Sequence, residues 1–150
     1  MVCSFFGHRN ITITKSLVEN TKEAIYKALK DNIFTFYFGG FGDFDDLCYK
    51  IVTQLKNDFP QYNIQRIFCV PTEKMLRKRP AWLKQENYEE IIFLTPSFDS
   101  WYKSIYFRNC AMIDNSDFCI FYVENRENSG AYKTYKYALK KKVMSVNLFE

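Results

Sequence analysis

The feature that most constrains the fold is a series of short apolar runs alternating with helical patterns. Within the helical patterns, apolar residues recur every three or four positions, as on one face of a helix. The six runs are apolar nearly throughout and do not alternate with polar residues, which is typical of parallel strands buried on both faces. The runs lie at residues 2–6, 33–38, 63–70, 91–94, 118–123 and 143–148. We therefore expect a single α/β domain over residues 1–150, with three layers and a mostly parallel sheet of about six strands covered by helices on both faces.

The composition restricts the kinds of site that the chain can carry. The five cysteines are odd in number and widely spaced, which predicts reduced, buried thiols rather than a disulfide framework. With one histidine and no paired cysteines, we expect no metal and no cofactor. No apolar run approaches the roughly 20 residues that span a membrane, so we expect no membrane partner and a cytoplasmic protein. The net charge of +4 permits an anionic ligand and makes a nucleic-acid partner unlikely.

All five glycines lie where a predicted strand ends or the next helix begins. They are Gly7, Gly39, Gly40, Gly42 and Gly130. Ligands of doubly wound sheets bind at the carboxyl ends of the strands, where the strand order reverses. A glycine turn before a helix lets the backbone approach a ligand, and free N–H groups at the helix N-terminus favour phosphate. The sequence thus predicts a phosphate-binding turn at residues 39–42, with tight turns that bind nothing as the alternative.

Other polar and aromatic residues have two interpretations each. Asp43 or Asp45 can cap the helix that follows the glycine turn. Residues 72–88 lack a clean period and are expected to form a long loop with at most a helical turn. Trp82, Trp101 and Tyr102 either cover a bound base or pack in the core or at a dimer interface.

Four segments resemble the SLOG superfamily, and within it the YpsA-like branch of small Rossmann-like proteins. They are FFGHRNI, FYFGGFGDFD, YFRNCAMIDNSDFCIFYV and SGAYKTYKYALKKKVMSVNL. The resemblance implies a Rossmann-like domain that binds a nucleotide or nucleotide-derived molecule, with an acidic side chain on the ribose hydroxyls, and a homodimer or larger homo-oligomer. The implied ligand-binding residues are Gly7, His8, Arg9, Gly39, Gly40, Gly42, Asp45, Arg108, Asn109, Ser129, Gly130, Ala131 and Thr134.

The same superfamily includes the lonely-guy phosphoribohydrolases and DNA-processing protein A. The phosphoribohydrolases carry a Pro-Gly-Gly-x-Gly-Thr turn followed two residues later by a catalytic Glu. Here Phe38 replaces the Pro, Asp43 the Thr and Asp46 the Glu. The expected function is therefore a nucleotide-binding sensor or sequestering protein, in a bacterial cell or encoded by a phage in conflict signalling. The alternative is a nucleoside-monophosphate N-glycosidase that uses Asp45 or Asp46.

Overall fold

Strands and helices alternate along the chain. The computed structural model describes residues 1–77, 87–96 and 98–149. Its elements are β1 (Val2–Gly7), α1 (Lys15–Lys30), β2 (Thr35–Phe38), α2 (Asp43–Asp58), a 3₁₀ turn (Pro60–Tyr62), β3 (Gln65–Cys69), α3 (Glu73–Arg77), β4 (Glu90–Ile92), α4 (Trp101–Asp114), β5 (Phe118–Tyr122), α5 (Gly130–Lys141) and β6 (Met144–Asn147).

The six strands form one sheet in the order β4-β3-β2-β1-β5-β6, and every neighbouring pair is parallel. The chain builds outward from β1 to β4 on one side and then returns to place β5 on the other side of β1. The strand order therefore reverses between β1 and β5, where Gly7 lies opposite Tyr122. This reversal creates a crevice at the carboxyl ends of the strands.

Helices cover both faces of the sheet, as the uninterrupted apolar strands predict. One core joins α1 and α2 to one face, with Phe5, Phe36 and Phe38 at its centre. The other joins α4 and α5 to the opposite face around Phe6 and Phe121. Because successive side chains of a strand point to opposite faces, β1 supplies Phe5 to the first core and Phe6 to the second. The predicted three-layer, Rossmann-like α/β fold is confirmed.

Most predicted element boundaries agree with the structure to within two residues. Helix α4 begins at Trp101, where the Ser100 Oγ accepts a hydrogen bond of 3.2 Å from the Lys103 N–H. The helical turn expected within residues 72–88 is α3. Trp82 lies outside the described residues.

All five cysteines are buried and free, as predicted. Among the described helices, none has the length and hydropathy to cross a membrane.

Candidate functional site

A cavity of ≈ 660 Å³ lies at the carboxyl edge of the sheet, over the ends of β1 and β2 and between α4 and the start of α5. It coincides with the reversal of strand order, where a Rossmann-like sheet offers a binding crevice. The residues that line it are Phe5, Phe6, Gly7, His8, Arg9, Gly39, Phe41, Asp45, Trp101, Tyr102, Lys103, Ile105, Tyr106, Phe107, Arg108, Asn109, Asn128, Ser129, Gly130, Ala131, Lys133 and Thr134.

The cavity brings together most of the residues predicted to bind a ligand. From four separate segments, it collects Gly7, His8, Arg9, Gly39, Asp45, Arg108, Asn109, Ser129, Gly130, Ala131 and Thr134. Gly40 and Gly42 are not part of its lining. A Cβ on Gly40, whose φ is +81°, would stand 1.8 Å from the Phe68 ring, and one on Gly42, at φ +101°, would stand 2.8 Å from the Cα of Arg9. These two glycines therefore serve close packing of the turn.

The backbone amides of the glycine turn are already occupied by a side chain of the protein. The Gly39 N–H donates to Asp45 Oδ1 over 3.2 Å, and the Gly40 N–H donates to Asp45 Oδ2 over 3.0 Å. In this conformation the carboxylate fills the place that the sequence assigned to phosphate. The prediction that Asp43 or Asp45 caps α2 is wrong, because Gly42 is the N-cap residue and no side chain caps it. Asp43 instead accepts a hydrogen bond of 3.0 Å from the Ile11 N–H.

The Asp45 carboxyl titrates far from its ordinary range. Burial raises its pKa from 3.8 to about 7, with a smaller contribution in the same direction from Asp46. The Gly39 and Gly40 amides and the Arg108 guanidinium oppose this rise, because each favours the ionised form. A carboxyl with a pKa near neutrality in a crevice is a feature found at functional sites.

Arg108 lies at the inner wall of the cavity and is held rigidly. Its side chain is buried, and its Nη1 donates to the carbonyls of Gly39 over 2.9 Å and Cys69 over 2.8 Å. Its Nε donates to Asn109 Oδ1 over 2.8 Å. Burial lowers its pKa to about 10, so the group stays charged at neutral pH. The partners of the buried Arg108 side chain are thus two backbone carbonyls and the side-chain oxygen of Asn109.

One nitrogen of Arg108 is left for a ligand. Within the described parts of the chain, Nη2 makes no hydrogen bond, although Nε and Nη1 are fully used. It lies against the Cα side of Gly39, where an added Cβ would be 3.0 Å away. No side-chain nitrogen or oxygen buried in the described residues lacks a hydrogen-bond partner, so Nη2 is reachable from the cavity and can donate to a ligand oxygen.

The N-terminus of α5 opens onto the same cavity. Ser129 caps the helix, with its Oγ accepting from the Tyr132 N–H over 3.2 Å. Among the described residues, no acceptor faces the N–H groups of Gly130 and Ala131. Outside the neighbouring backbone, a Cβ on Gly130 would meet no atom of the described residues within 4 Å, so the space beside this residue is open. Such a terminus is suited to an anion.

His8 connects the loops after β1 and β5. Its Nε2 accepts from the Glu124 N–H over 2.8 Å, so the neutral ring carries its proton on Nδ1, which lies 3.4 Å from Ser129 Oγ. Burial, and then the charge of Arg126, lower its pKa below 6.5. The geometry therefore gives His8 a role in positioning the cap of α5.

Asp46 points away from the cavity. It forms an exposed ion pair of 2.9 Å with Lys50, one turn along α2, and it is not part of the cavity lining. Of the two carboxylates considered for catalysis, only Asp45 borders the cavity.

Several lining residues were not predicted from the sequence. Trp101 and Tyr102, proposed as a possible cover for a base, do line the cavity, and Trp101 meets the Phe41 ring edge-on at 5.8 Å. The lining residues that the sequence did not point to are Phe5, Phe6, Phe41, Lys103, Ile105, Tyr106, Phe107, Asn128 and Lys133. Helical spacing offered a signal, since Trp101 and Ile105 precede Arg108 by seven and three positions and so share its side of α4.

The charges around the cavity are unequal. Among the described residues of the lining, Arg9, Lys103, Arg108 and Lys133 are cationic and Asp45 is acidic. Lys103 lies 3.7 Å from Asp99, and Arg9 is exposed with no ion pair among the described residues. The surplus of positive charge favours an anionic ligand.

Comparison with known proteins supports the fold. No family model and no curated protein matches the sequence. Among solved structures, the chain is similar to DNA processing protein A (DprA) from Streptococcus pneumoniae, with a TM-score of 0.64 and 14% sequence identity. The match covers 95% of this chain and 48% of that one, so this chain spans about half the length of that protein. At this identity the likeness shows a shared Rossmann-like α/β architecture.

Proposed function

We propose that this chain binds an anionic, nucleotide-like small molecule in the cavity, with the phosphate at the N-terminus of α5. The observation that carries the proposal is that the N–H groups of Gly130 and Ala131, for which the described parts of the chain offer no acceptor, belong to residues that line a cavity with a surplus of positive charge. Lys133, one turn along the same helix, and Arg9 supply further charge. The aromatic rings of Phe41 and Trp101 offer apolar surface for a base.

This placement of the phosphate differs from the one expected from the sequence. The amides of Gly39 and Gly40 donate to Asp45, so a phosphate there would have to displace a carboxylate. The amides of α5 require no such displacement. The glycine turn then contributes to the site through Asp45 and the carbonyl that holds Arg108.

Two lysines of α5 provide a matched test. Both lysines are exposed, but Lys133 lines the cavity, whereas Lys136 is not part of the lining and lies over the Tyr132 ring at 4.9 Å. Lys133→Ala should weaken the binding of nucleoside monophosphates by about 10-fold in calorimetric titration, the usual effect of losing a hydrogen bond to a charged group. Lys136→Ala removes the same charge and should leave affinity unchanged. Equal losses in both variants would refute the proposed phosphate position.

The natural ligand is best identified from the purified protein itself. Small molecules released on denaturation should include a phosphorylated compound with the absorbance of a nucleobase, detectable by mass spectrometry. A released compound without phosphate would contradict the proposal.

The biological setting is proposed from the sequence resemblance. The sequence resemblance supports membership of the SLOG superfamily and its YpsA-like branch, a cytoplasmic sensor or sequestering role, and a homo-oligomer. The shared fold with DNA processing protein A agrees with the superfamily. A cavity of ≈ 660 Å³ lies within the size range of small-molecule sites.

A second candidate is cleavage of a nucleoside monophosphate at its N-glycosidic bond. Asp45 borders the cavity and has a pKa of about 7, which suits a general acid. A panel of nucleoside monophosphates should then release free base with the wild type and not with Asp45→Asn. If the wild type releases no base at high enzyme concentration, the chain acts only as a binding protein.

A further inference from the structure

At the inner end of the cavity, a donor side chain (Arg108) and an acceptor side chain (Asp45) both bond to the backbone of Gly39. Arg108 donates to the carbonyl of Gly39, and Asp45 accepts from the N–H of the same residue. Both side chains line the cavity. No ion pair within 4.0 Å joins the two side chains among the described contacts. The hydrogen-bonding capacity of each is therefore not occupied by the other.

Each group keeps capacity for a ligand. The Nη2 of Arg108 has both hydrogens without a partner among the described residues. Each carboxylate oxygen of Asp45 receives one amide hydrogen, and a carboxylate oxygen can accept two. The inner wall therefore presents a fixed donor and a fixed acceptor to whatever occupies the cavity.

Aromatic surface adjoins this pair. The Arg108 guanidinium carbon lies 6.0 Å from the centre of the Phe41 ring, and the Trp101 ring meets Phe41 edge-on. A flat ring in this space would contact apolar side chains and bring its polar edge to Arg108 and Asp45.

We propose that Arg108 and Asp45 select a base with a cyclic amide edge, that is, guanine, hypoxanthine or uracil, over adenine and cytosine. This inference depends on the proposed function. The carbonyl oxygen of such a base would accept from Arg108 Nη2, and the neighbouring ring N–H would donate to Asp45. Adenine and cytosine place an amino group where these bases carry the oxygen. In that orientation the amino group opposes the guanidinium donor. A reversed adenine or cytosine could pair its amino group with Asp45 and its ring nitrogen with Nη2, but the reversal turns the sugar to the opposite side of the base, away from the phosphate proposed at the N-terminus of α5.

The consequence for affinity follows from the burial of Arg108. A site built to hydrogen-bond a ligand group discriminates strongly against analogues that leave its buried polar atoms unpaired. We expect a preference on the order of 10-fold or more, in line with paired contacts to base edges elsewhere. If the Asp45 carboxylate accepts from the edge of the base, it cannot at the same time stand at the glycosidic bond. Base recognition by Asp45 and cleavage by Asp45 therefore exclude one another.

The test is calorimetric titration of the wild type with GMP, IMP, UMP, AMP and CMP. At pH 8 the Asp45 carboxyl is ionised, since its pKa is about 7. GMP, IMP and UMP should bind at least 10-fold more tightly than AMP and CMP. Lys133→Ala should weaken all five to a similar extent, because it acts at the phosphate.

The outcomes separate the two proposals. If none of the five nucleotides binds, both are wrong. If they bind without a base preference, or if AMP or CMP binds best, the proposed function stands and the selection by Arg108 and Asp45 is wrong. Asp45→Asn replaces one carboxylate oxygen by an NH₂ donor and keeps the other oxygen as an acceptor. It should therefore reduce the difference in affinity between GMP, IMP and UMP on one side and AMP and CMP on the other. A folded Asp45→Asn variant with undiminished selectivity would overturn the role of Asp45.

Discussion

The titration of Asp45 makes the protein's stability depend on pH in a defined direction. Its pKa rises from 3.8 to about 7 on folding, mainly through burial. The folded state therefore holds the proton more tightly, and stability contributed by the protonated form is present below pH 4 and is lost as pH rises towards 7. At about 1.4 kcal/mol for each pKa unit, the full loss is about 4 kcal/mol.

Replacing Asp45 by Asn removes this dependence. Roughly 3 kcal/mol of the loss falls between pH 5 and pH 8. Asn keeps one acceptor for the Gly39 and Gly40 amides and loses the other, at a cost of about 1–3 kcal/mol that does not vary with pH. Relative to the wild type, Asp45→Asn should therefore become more stable by roughly 3 kcal/mol as pH rises from 5 to 8.

Urea unfolding of both proteins at pH 5, 6, 7 and 8 measures this difference. Asp46→Asn is the matched control, because Asp46 is exposed and pairs with Lys50 at the surface; its stability relative to the wild type should stay nearly constant. If the difference between Asp45→Asn and the wild type changes by less than about 0.5 kcal/mol over this range, the carboxyl is not buried as described.

Three further predictions concern the turn and the α5 cap. Gly40→Ala should destabilise the fold by at least about 2 kcal/mol in urea unfolding, through positive φ and the clash with Phe68, whereas Gly130→Ala should not, since its Cβ enters open space. Ser129→Ala should cost about 1 kcal/mol by removing the cap of α5, and an unchanged unfolding midpoint would contradict that assignment. His8, with its pKa lowered, should be neutral at pH 6.5 and carry its proton on Nδ1 in nitrogen NMR spectra; a charged ring at that pH would contradict its burial between two loops.

The fold was accessible from the sequence because its signals are local. Strands apolar on both faces must be covered on both faces, and the spacing of Leu17, Ala24 and Ala28 suffices to place a helix. The position of the glycines at strand ends then correctly indicated that the candidate site lies at the carboxyl ends of the strands.

The details of the site were not accessible, because they depend on contacts between distant segments. Nothing near Arg108 in the sequence indicates that its partners are the carbonyls of Gly39 and Cys69, which are 69 and 39 positions away. Likewise, a carboxylate that closes back on its own glycine turn cannot be distinguished by type and spacing from one that caps a helix. The occupation of those amides by Asp45 moved the proposed phosphate to α5.

The position of the phosphate is tested most directly by amide NMR. Adding a nucleoside monophosphate to the nitrogen-15 labelled protein should shift the Gly130 and Ala131 amide signals most, because these N–H groups have no acceptor among the described residues. The Gly39 and Gly40 signals should change less, since both amides already donate to Asp45. The largest changes at Gly39 and Gly40, or no change at Gly130 and Ala131 at millimolar ligand, would contradict the account.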